Sequence, residues 1–208
     1  MVGRKDIAII DYGAGNLRSV VNAISRLGHQ PDVTSSAADV AVAKAVILPG
    51  VGAAAACMTA LRAQGMDNAI LDIIAKDRPF LGICLGLQVL FSTTEEDGGQ
   101  KCLGIFPGKV KRLPGKVKIP HMGWNQVKQT VDHPLFFGIP DNANFYFVHS
   151  YYADPEDKSL IAGQTGYGVT MSSVIARGNT VATQFHPEKS QGLGLKVLAG
   201  FGKYVKKN

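Results

Sequence analysis

The segment Pro79-Phe-Leu-Gly-Ile-Cys-Leu-Gly-Leu-Gln-Val-Leu-Phe91 decides the fold that we predict for this chain. Its first half is a short apolar run after a proline, which is typical of a buried strand in a parallel sheet. In its second half, Leu87, Leu90 and Phe91 have the spacing of one face of a helix. The segment therefore predicts a strand that turns sharply into a helix.

Cys84 lies in this turn, two residues after Gly82 and two residues before Gly86. A strand-to-helix turn that presents a nucleophile needs such glycines, because its backbone is strained and leaves no room for neighbouring side chains. The N-terminus of the helix would also stabilise a thiolate. Free cysteines are often buried for packing reasons, so the turn alone leaves open whether Cys84 is a nucleophile or a structural residue.

The length and composition indicate a globular protein. Of the 208 residues, 46% are hydrophobic and 18% are charged, which predicts one domain over residues 1–208 with a proper core. Cys57, Cys84 and Cys102 are odd in number and lack the spacing of metal ligands, so we expect a reducing cytoplasm, no disulfide framework and no metal. The chain begins without a signal-peptide pattern, and Gly and Pro break its longest charge-free stretch, so we expect no membrane contact.

Positive charge is concentrated in the second half of the chain. Residues 1–100 carry 8 Lys and Arg against 10 Asp and Glu, whereas residues 101–208 carry 14 against 6. Between Lys101 and Lys128 there are seven basic residues and no acidic one. This run has no interleaved arginines and aromatics and no known binding module, so we do not predict a nucleic-acid partner. A solvated face and a docking surface for an acidic protein stay open.

Apolar runs on both sides of the central segment predict further strands. Ile7–Asp11 and Ala45–Leu48 are compact apolar runs, each followed by residues with helical spacing. The second run continues into Pro49-Gly-Val-Gly52, a loop at the carboxyl end of a strand, where open α/β sheets bind ligands. After Gly104, short alternating runs predict antiparallel strands added to the sheet, with a hairpin over residues 172–185. We therefore predict an α/β fold with a mixed, mostly parallel open sheet flanked by helices.

Two common nucleotide-binding motifs are absent from the sequence. Gly13-Ala-Gly15 follows a strand and opens a helix, but Arg18 occupies the position of the third glycine in a dinucleotide fingerprint. The chain also has no Gly-x-x-x-x-Gly-Lys-Ser/Thr loop for ATP. We expect no nucleotide cofactor.

A thiol nucleophile needs a base, and His186 is a candidate. It follows the second strand of the predicted hairpin, which we expect to lie beside the strand that precedes Cys84. Glu188 is two residues further on, so in an extended backbone it shares a face with His186 and could fix the imidazole tautomer. The other four histidines compete with His186 by residue type: His29, His121, His133 and His149. Of these, His29 after a helix end and His133 before Pro134 are expected at the surface.

Three of these motifs, in chain order, resemble those of the class I glutamine amidotransferases: Pro49–Gly52, Gly82–Gln88 and His186-Pro-Glu188. They span nearly the whole chain, and their coincidence is more specific than any one of them. The resemblance implies the flavodoxin-like fold of this family and no cofactor. Further motifs are similar to those of the glutaminases that serve imidazole glycerol phosphate synthases: Asp11–Ser19, Pro120–Asn125 and Phe147–Tyr151.

The resemblance implies roles for the residues around the cysteine. Cys84 would attack glutamine and form a thioester, His186 would act as base and then as acid, and Glu188 would orient His186. The residues whose backbone N–H groups would hold the oxyanion are Leu85 and either Val51 or Gly52. The residues expected to contact the glutamine substrate are Gln88, Glu96, His149, Ser150 and Tyr151.

The resemblance also implies a partner protein. Ammonia released into neutral water is mostly ammonium, so a glutaminase of this kind belongs beside a second active site, for which this chain has no motif. By resemblance the partner is a (β/α)₈-barrel cyclase that forms imidazole glycerol phosphate and AICAR in histidine biosynthesis. The residues expected to face it are Asn16, Arg18, Trp124, Asn125 and Lys189.

Some alternatives stay open. Glu96 lies in an acidic stretch and could simply be solvated, Trp124 could be a core aromatic, and Arg18 could be a surface charge. The glutaminase could serve another synthase, such as one that makes a chorismate-derived amine or pyridoxal phosphate. The chain could also be a non-catalytic interaction module, although the intact set of Cys84, His186 and Glu188 argues against this.

Overall fold

The computed structural model describes residues 6–13 and 17–207, with side chains as far as residue 204. The strands are β1 (Ile7–Ile10), β2 (Pro31–Thr34), β3 (Ala45–Gly50), β4 (Phe80–Cys84), β5 (Phe91–Thr94), β6 (Gln100–Lys101), β7 (Phe106–Arg112), β8 (His121–Gln129), β9 (Ala143–His149), β10 (Tyr151–Pro155), β11 (Ile161–Gly166), β12 (Thr170–Arg177) and β13 (Thr180–Thr183). The helices are α1 (Leu17–Arg26), α2 (Ala37–Val42), α3 (Ala54–Ala63), α4 (Met66–Ala75), α5 (Leu85–Gln88) and α6 (Gln191–Lys207). Short 3₁₀ helices cover Glu96–Gly98, Pro134–Phe136, Lys158–Leu160 and Pro187–Lys189.

A large mixed sheet forms the centre of the described part of the chain. Its nine strands have the order β2-β1-β3-β4-β13-β12-β11-β8-β9. The pairings from β2 to β13 are parallel, and those from β13 to β9 are antiparallel. The predicted α/β fold class is confirmed, and so is the hairpin formed by β12 and β13.

A second sheet corrects the prediction for some of the later strands. In the described residues, β10, β7, β5 and β6 form a separate four-stranded sheet, so β7 and β10 do not extend the central one. The helix predicted to run through Phe91 is also wrong, because α5 ends at Gln88 and Phe91 begins β5. A short apolar run fits either a helix face or a strand, and tertiary packing decided it: Phe91 is fully buried against Phe106 of β7.

Helices cover both faces of the central sheet. Alternate strand residues point to opposite faces, so Ala8 and Ile10 pack with α2, α3 and α4, while Ile7 and Ile9 pack with α1 and α6. The strands β1, β3 and β4 are buried along their whole length. Burial on both faces explains why these strands are continuous apolar runs in the sequence.

The turn after β4 depends on close backbone contact with β3. A Cβ atom placed on Gly86 would lie 1.9 Å from the carbonyl oxygen of Leu48, and one on Gly82 would lie 2.7 Å from the carbonyl oxygen of Gly86. Both obstacles are backbone atoms, which cannot rotate away. The glycines on either side of Cys84 are therefore required by packing, and they let α5 sit directly against β3 and β4.

We expect Gly86→Ala to destabilise the protein, because the added methyl group must displace the backbone of β3. The free energy of unfolding, measured by urea denaturation, should fall by about 3 kcal/mol or more. Gly192→Ala in α6 is the matched control, since nothing lies within 4 Å of a Cβ atom there and alanine favours helix. Equal stability of the two variants would contradict the close-contact explanation.

Candidate active site

Cys84 occupies a strained position at the end of β4. Its φ of 54° and ψ of −105° lie outside the regions that a cysteine ordinarily adopts, and its side chain is almost fully buried. α5 begins at the next residue, so the backbone N–H groups at its N-terminus lie close to the sulfur. This geometry is that of a strand-to-helix turn that presents a nucleophile.

His186 reaches the same edge of the sheet from β13. The two strands run parallel, with Thr183 paired to Ile83, so the residues that follow them leave the sheet together. His186 Nδ1 donates to Glu188 Oε1 at 2.8 Å, and both side chains are at most 3% exposed. Because the carboxylate can only accept, Nδ1 carries a proton and Nε2 is left to face the thiol.

Cys84 and Glu188 together control the charge of His186. Burial lowers the pKa of His186, but hydrogen bonding and charge attraction from Cys84 and Glu188 outweigh burial and raise it to about 10. Nε2 is buried and makes no hydrogen bond of standard geometry. Nε2 is therefore the ring nitrogen that is left to face the Cys84 sulfur.

A cavity of about 270 Å³ opens beside the sulfur. Its walls include the residues expected to bind glutamine and those expected to hold the oxyanion. Its lining consists of Val51, Gly52, Cys84, Leu85, Gln88, Glu96, Pro120, Val148, His149, Ser150 and Tyr151.

The loop after β3 forms one wall of this cavity. A Cβ atom on Gly50 would lie 2.7 Å from the hydroxyl of Tyr12 and 2.8 Å from Leu85 Cβ, so only glycine fits there. Gly52 has a φ of 95°, in the region that favours glycine. The loop can therefore bring the backbone of Val51 and Gly52 close to a ligand at Cys84.

Two side chains of the cavity wall already make structural hydrogen bonds. Glu96 Oε2 accepts from the backbone N–H of Ala54 at 2.6 Å, so Glu96 holds the N-terminus of α3. It is thus not merely solvated, and it remains half-buried at the cavity edge. Gln88 Nε2 donates to the carbonyl oxygen of Tyr151 at 2.8 Å.

His149 in the cavity wall forms a buried pair with His121. His149 Nδ1 lies 2.8 Å from the carbonyl oxygen of Tyr151 and must donate to it, so a neutral His149 accepts at Nε2 from His121 Nδ1, 2.9 Å away. Burial lowers the pKa of His121 to about 4, and burial with repulsion from His121 and His186 lowers the pKa of His149 to about 3. Both rings are therefore neutral near pH 7.

The residues expected at a partner interface are only partly described. Trp124 is 49% exposed on β8 and is not a core aromatic, and Met122 beside it is 62% exposed. Arg18 is exposed at the start of α1, while Asn125 and Lys189 are half-buried. Asn16 lies outside the described residues.

A model of the family described as "Glutamine amidotransferase class-I" matches residues 8–201 of this chain. The chain belongs to this family. The predicted family and enzyme class are thereby confirmed, and we refer to the protein below as this amidotransferase.

Similar proteins agree with the family assignment. This amidotransferase is 57% identical to the imidazole glycerol phosphate synthase subunit HisH of Dehalococcoides mccartyi, over 95% of this chain and 96% of that protein. It is 50% identical to the subunit of the same name in Moorella thermoacetica, over 97% and 96%. A crystal structure titled as a glutamine amidotransferase superposes with a TM-score of 0.75 at 16% identity, covering 96% and 98% of the two chains, and supports the fold alone.

Sequence reasoning missed one residue that touches the sulfur of this amidotransferase. Gln184 is fully buried, and its Nε2 lies 3.6 Å from Cys84 Sγ. The signal was present in the hairpin, since Gln184 and His186 are two residues apart and share a face.

No helix in the described residues is long and apolar enough to span a membrane.

The buried histidines predict opposite effects of pH on stability. The pKa values of His121 and His149 are lower in the folded state than the 6.5 of an exposed histidine. Their contribution to the free energy of unfolding is therefore complete above about pH 6.5 and is lost as the pH falls toward 4. The pKa of His186 is raised, so its contribution is complete below about pH 6.5 and is lost as the pH rises toward 10. NMR titration of the imidazole signals should show His186 protonated at pH 8 while His121 and His149 remain neutral at pH 5.5. Titration of all three rings near pH 6.5 would contradict this assignment.

Proposed function

We propose that this amidotransferase is the glutaminase subunit of an imidazole glycerol phosphate synthase. It hydrolyses L-glutamine to glutamate and ammonia and delivers the ammonia to a (β/α)₈-barrel cyclase in histidine biosynthesis. The observation that carries the chemistry is the placement of Cys84, His186 and Glu188 at one edge of the sheet, beside a cavity. The choice of synthase rests on relatives that are 46–57% identical over nearly the whole chain and are named as subunits of that enzyme.

The first half of the reaction forms a thioester. The proton of the Cys84 thiol passes to His186 Nε2, a transfer that the raised pKa of His186 favours before glutamine binds, and the sulfur then attacks the side-chain amide carbon of glutamine, forming a carbon–sulfur bond. The carbonyl oxygen becomes an oxyanion, which the N–H groups of Leu85 and of Val51 or Gly52 stabilise. His186 then donates its proton to the amide nitrogen, the carbon–nitrogen bond breaks, and ammonia leaves.

The second half releases glutamate. His186 takes a proton from a water molecule as that water attacks the thioester carbon. The tetrahedral intermediate collapses, the carbon–sulfur bond breaks, and the sulfur recovers a proton from His186. Glu188 keeps its hydrogen bond to Nδ1 throughout and stabilises the imidazolium each time it forms.

The substrate occupies the cavity between the Cys84 turn and the wall formed by β9 and β10. Its reacting amide lies next to the sulfur, near Gln88 and Glu96. Its α-amino and α-carboxyl end extends toward His149, Ser150 and Tyr151, which line the cavity between the end of β9 and the start of β10.

The cyclase binds the face that carries Trp124. An exposed tryptophan next to an exposed methionine on a strand is unusual for a solvated face and suits a partner, because large aromatics anchor interfaces. Asn16, Arg18, Asn125 and Lys189 complete the proposed contact. The two subunits form a heterodimer in the cytoplasm. In this assembly the cyclase, and not this amidotransferase, catalyses the lyase reaction.

We expect Cys84→Ser to lose glutamine hydrolysis by roughly 10⁴-fold or more, since removal of a triad nucleophile abolishes the covalent path. Glutamate release is measured with and without the candidate cyclase and its nucleotide substrate. Wild-type protein alone should be slow, and the cyclase should raise its rate by orders of magnitude. Equal wild-type rates with and without the cyclase would contradict the coupling between glutamine hydrolysis and cyclase binding. Activation by a different synthase would instead assign this amidotransferase to the pathway of that synthase.

We expect Trp124→Ala to raise the Kd for the cyclase by roughly 30-fold, the effect of losing an interface anchor worth about 2 kcal/mol. Phe137→Ala is the matched control, because Phe137 is 73% exposed and lies outside the proposed interface. Binding is measured by titration calorimetry. Equal Kd values for the two variants would place the cyclase on another face.

A further inference from the structure

Gln184 lies directly beside the nucleophile and has no role in the mechanism above. It follows β13, whose Thr183 pairs with Ile83, so its backbone is next to Cys84 in the continued register. Its side chain is fully buried, and Nε2 is 3.6 Å from Cys84 Sγ, within hydrogen-bonding distance for sulfur. Its backbone N–H donates to the carbonyl oxygen of Ser173 on β12.

The hydrogen bonds around Gln184 determine which end of its amide faces the sulfur. The carbonyl oxygen of Tyr151 can only accept, so the side-chain nitrogen of Gln88 must face it, at 2.8 Å. The same nitrogen donates its second proton to Gln184 Oε1 at 3.2 Å. With its oxygen committed to Gln88, Gln184 can present only its NH₂ group to Cys84.

The amide of Gln184 is suited to the charged form of the sulfur. A neutral thiol can donate to the carbonyl oxygen of Val148, which is 3.8 Å from Cys84 Sγ. A thiolate has no proton to donate and would face that oxygen unfavourably, so it needs donors on other sides. His186 supplies one, and Gln184 supplies another from a buried position that costs no reorganisation.

We propose that Gln184 is a catalytic residue of glutamine hydrolysis, whose side-chain N–H donates to the Cys84 sulfur whenever that sulfur carries negative charge. This proposal rests on the proposed function. Charge is on sulfur twice per cycle, after the thiol has given its proton to His186 and when the carbon–sulfur bond of the thioester breaks. Gln184 transfers no proton at either stage, so the atom balance of the reaction is unchanged.

Gln88 and the Tyr151 carbonyl act as positioning groups for Gln184. The carbonyl is held from two sides, by Gln88 and by His149 Nδ1, each at 2.8 Å. It is therefore fixed independently of substrate, and the orientation of the Gln184 amide is set before glutamine binds.

The test is Gln184→Met, which keeps the length of the side chain, removes the donor and buries no charge. With the candidate cyclase present, kcat should fall roughly 10- to 100-fold, as expected for loss of a hydrogen bond to a charged group, while KM stays nearly constant. Ser173→Ala on the neighbouring strand is the matched control. It removes a buried hydroxyl group that is hydrogen-bonded to Thr165 and makes no hydrogen bond to Cys84, Gln184 or His186. Ser173→Ala should keep the wild-type kcat.

A second measurement does not depend on the cyclase. A chloroketone analogue of glutamine should alkylate Cys84 with a lower maximal rate constant in Gln184→Met and with an unchanged half-saturating concentration. If Gln184→Met does not fold, as judged by circular dichroism, Gln184→Asn is used instead, because its shorter amide retracts from the sulfur. Wild-type kcat and alkylation in either folded variant, or a change confined to KM, would overturn the role of Gln184. Absence of both glutamine hydrolysis and alkylation in the wild type would instead overturn the proposed function.

Discussion

The parallel pairing of β4 with β13 is the constraint on which the site depends. Cys84 ends one strand and His186 follows the other, 102 residues further along the chain. Parallel neighbours deliver their carboxyl ends to the same edge, so the pairing of Ile83 with Thr183 brings Cys84, Gln184 and His186 together without any long loop. The absence of side chains at Gly82 and Gly86 allows the same edge to hold a helix N-terminus.

Three buried histidines near the cavity carry different charges because their partners differ. His186 faces a carboxylate and a thiol, both of which can be negative, so its imidazolium is favoured despite burial. His121 and His149 are hydrogen-bonded to each other. Their other hydrogen-bond partners are the amide of Asn125 and the carbonyl oxygen of Tyr151, and neither carries a negative charge that would compensate an imidazolium. A protonated His149 would also repel the imidazolium of His186. The neutral pair and the charged His186 are therefore consistent parts of one electrostatic arrangement.

Much of this arrangement could be read from the sequence, and the misses have specific physical causes. The apolar runs of β1, β3 and β4 were recognisable because strands buried on both faces have no alternation. Phe91 was assigned to a helix because a short apolar run has no decisive period, and its burial against Phe106 depends on a strand that is distant in the chain. The second sheet was missed for the same reason. Gln184 was missed because a single glutamine after a strand has no motif of its own, and its position beside Cys84 depends on the register in which β13 pairs with β4.

The hairpin of β8 and β9 connects the exposed face to the sulfur by contiguous hydrogen bonds. On β8, Met122 and Trp124 point outward, while His121 is buried on the opposite side and Asn125 is half-buried there, as the two-residue period of a strand requires. Asn125 Nδ2 lies 3.2 Å from His121 Nε2, and the path continues through His149, the Tyr151 carbonyl and Gln88 to Gln184. Every link as far as Gln184 is a directional bond of 3.2 Å or less, and Gln184 Nε2 lies 3.6 Å from Cys84 Sγ. β8 therefore cannot slide relative to β9 and β10 without breaking one of these bonds. Trp124 and Asn125 are consecutive residues of β8. A protein that binds at Trp124 would therefore contact the strand from which the hydrogen-bond path to the cavity wall begins.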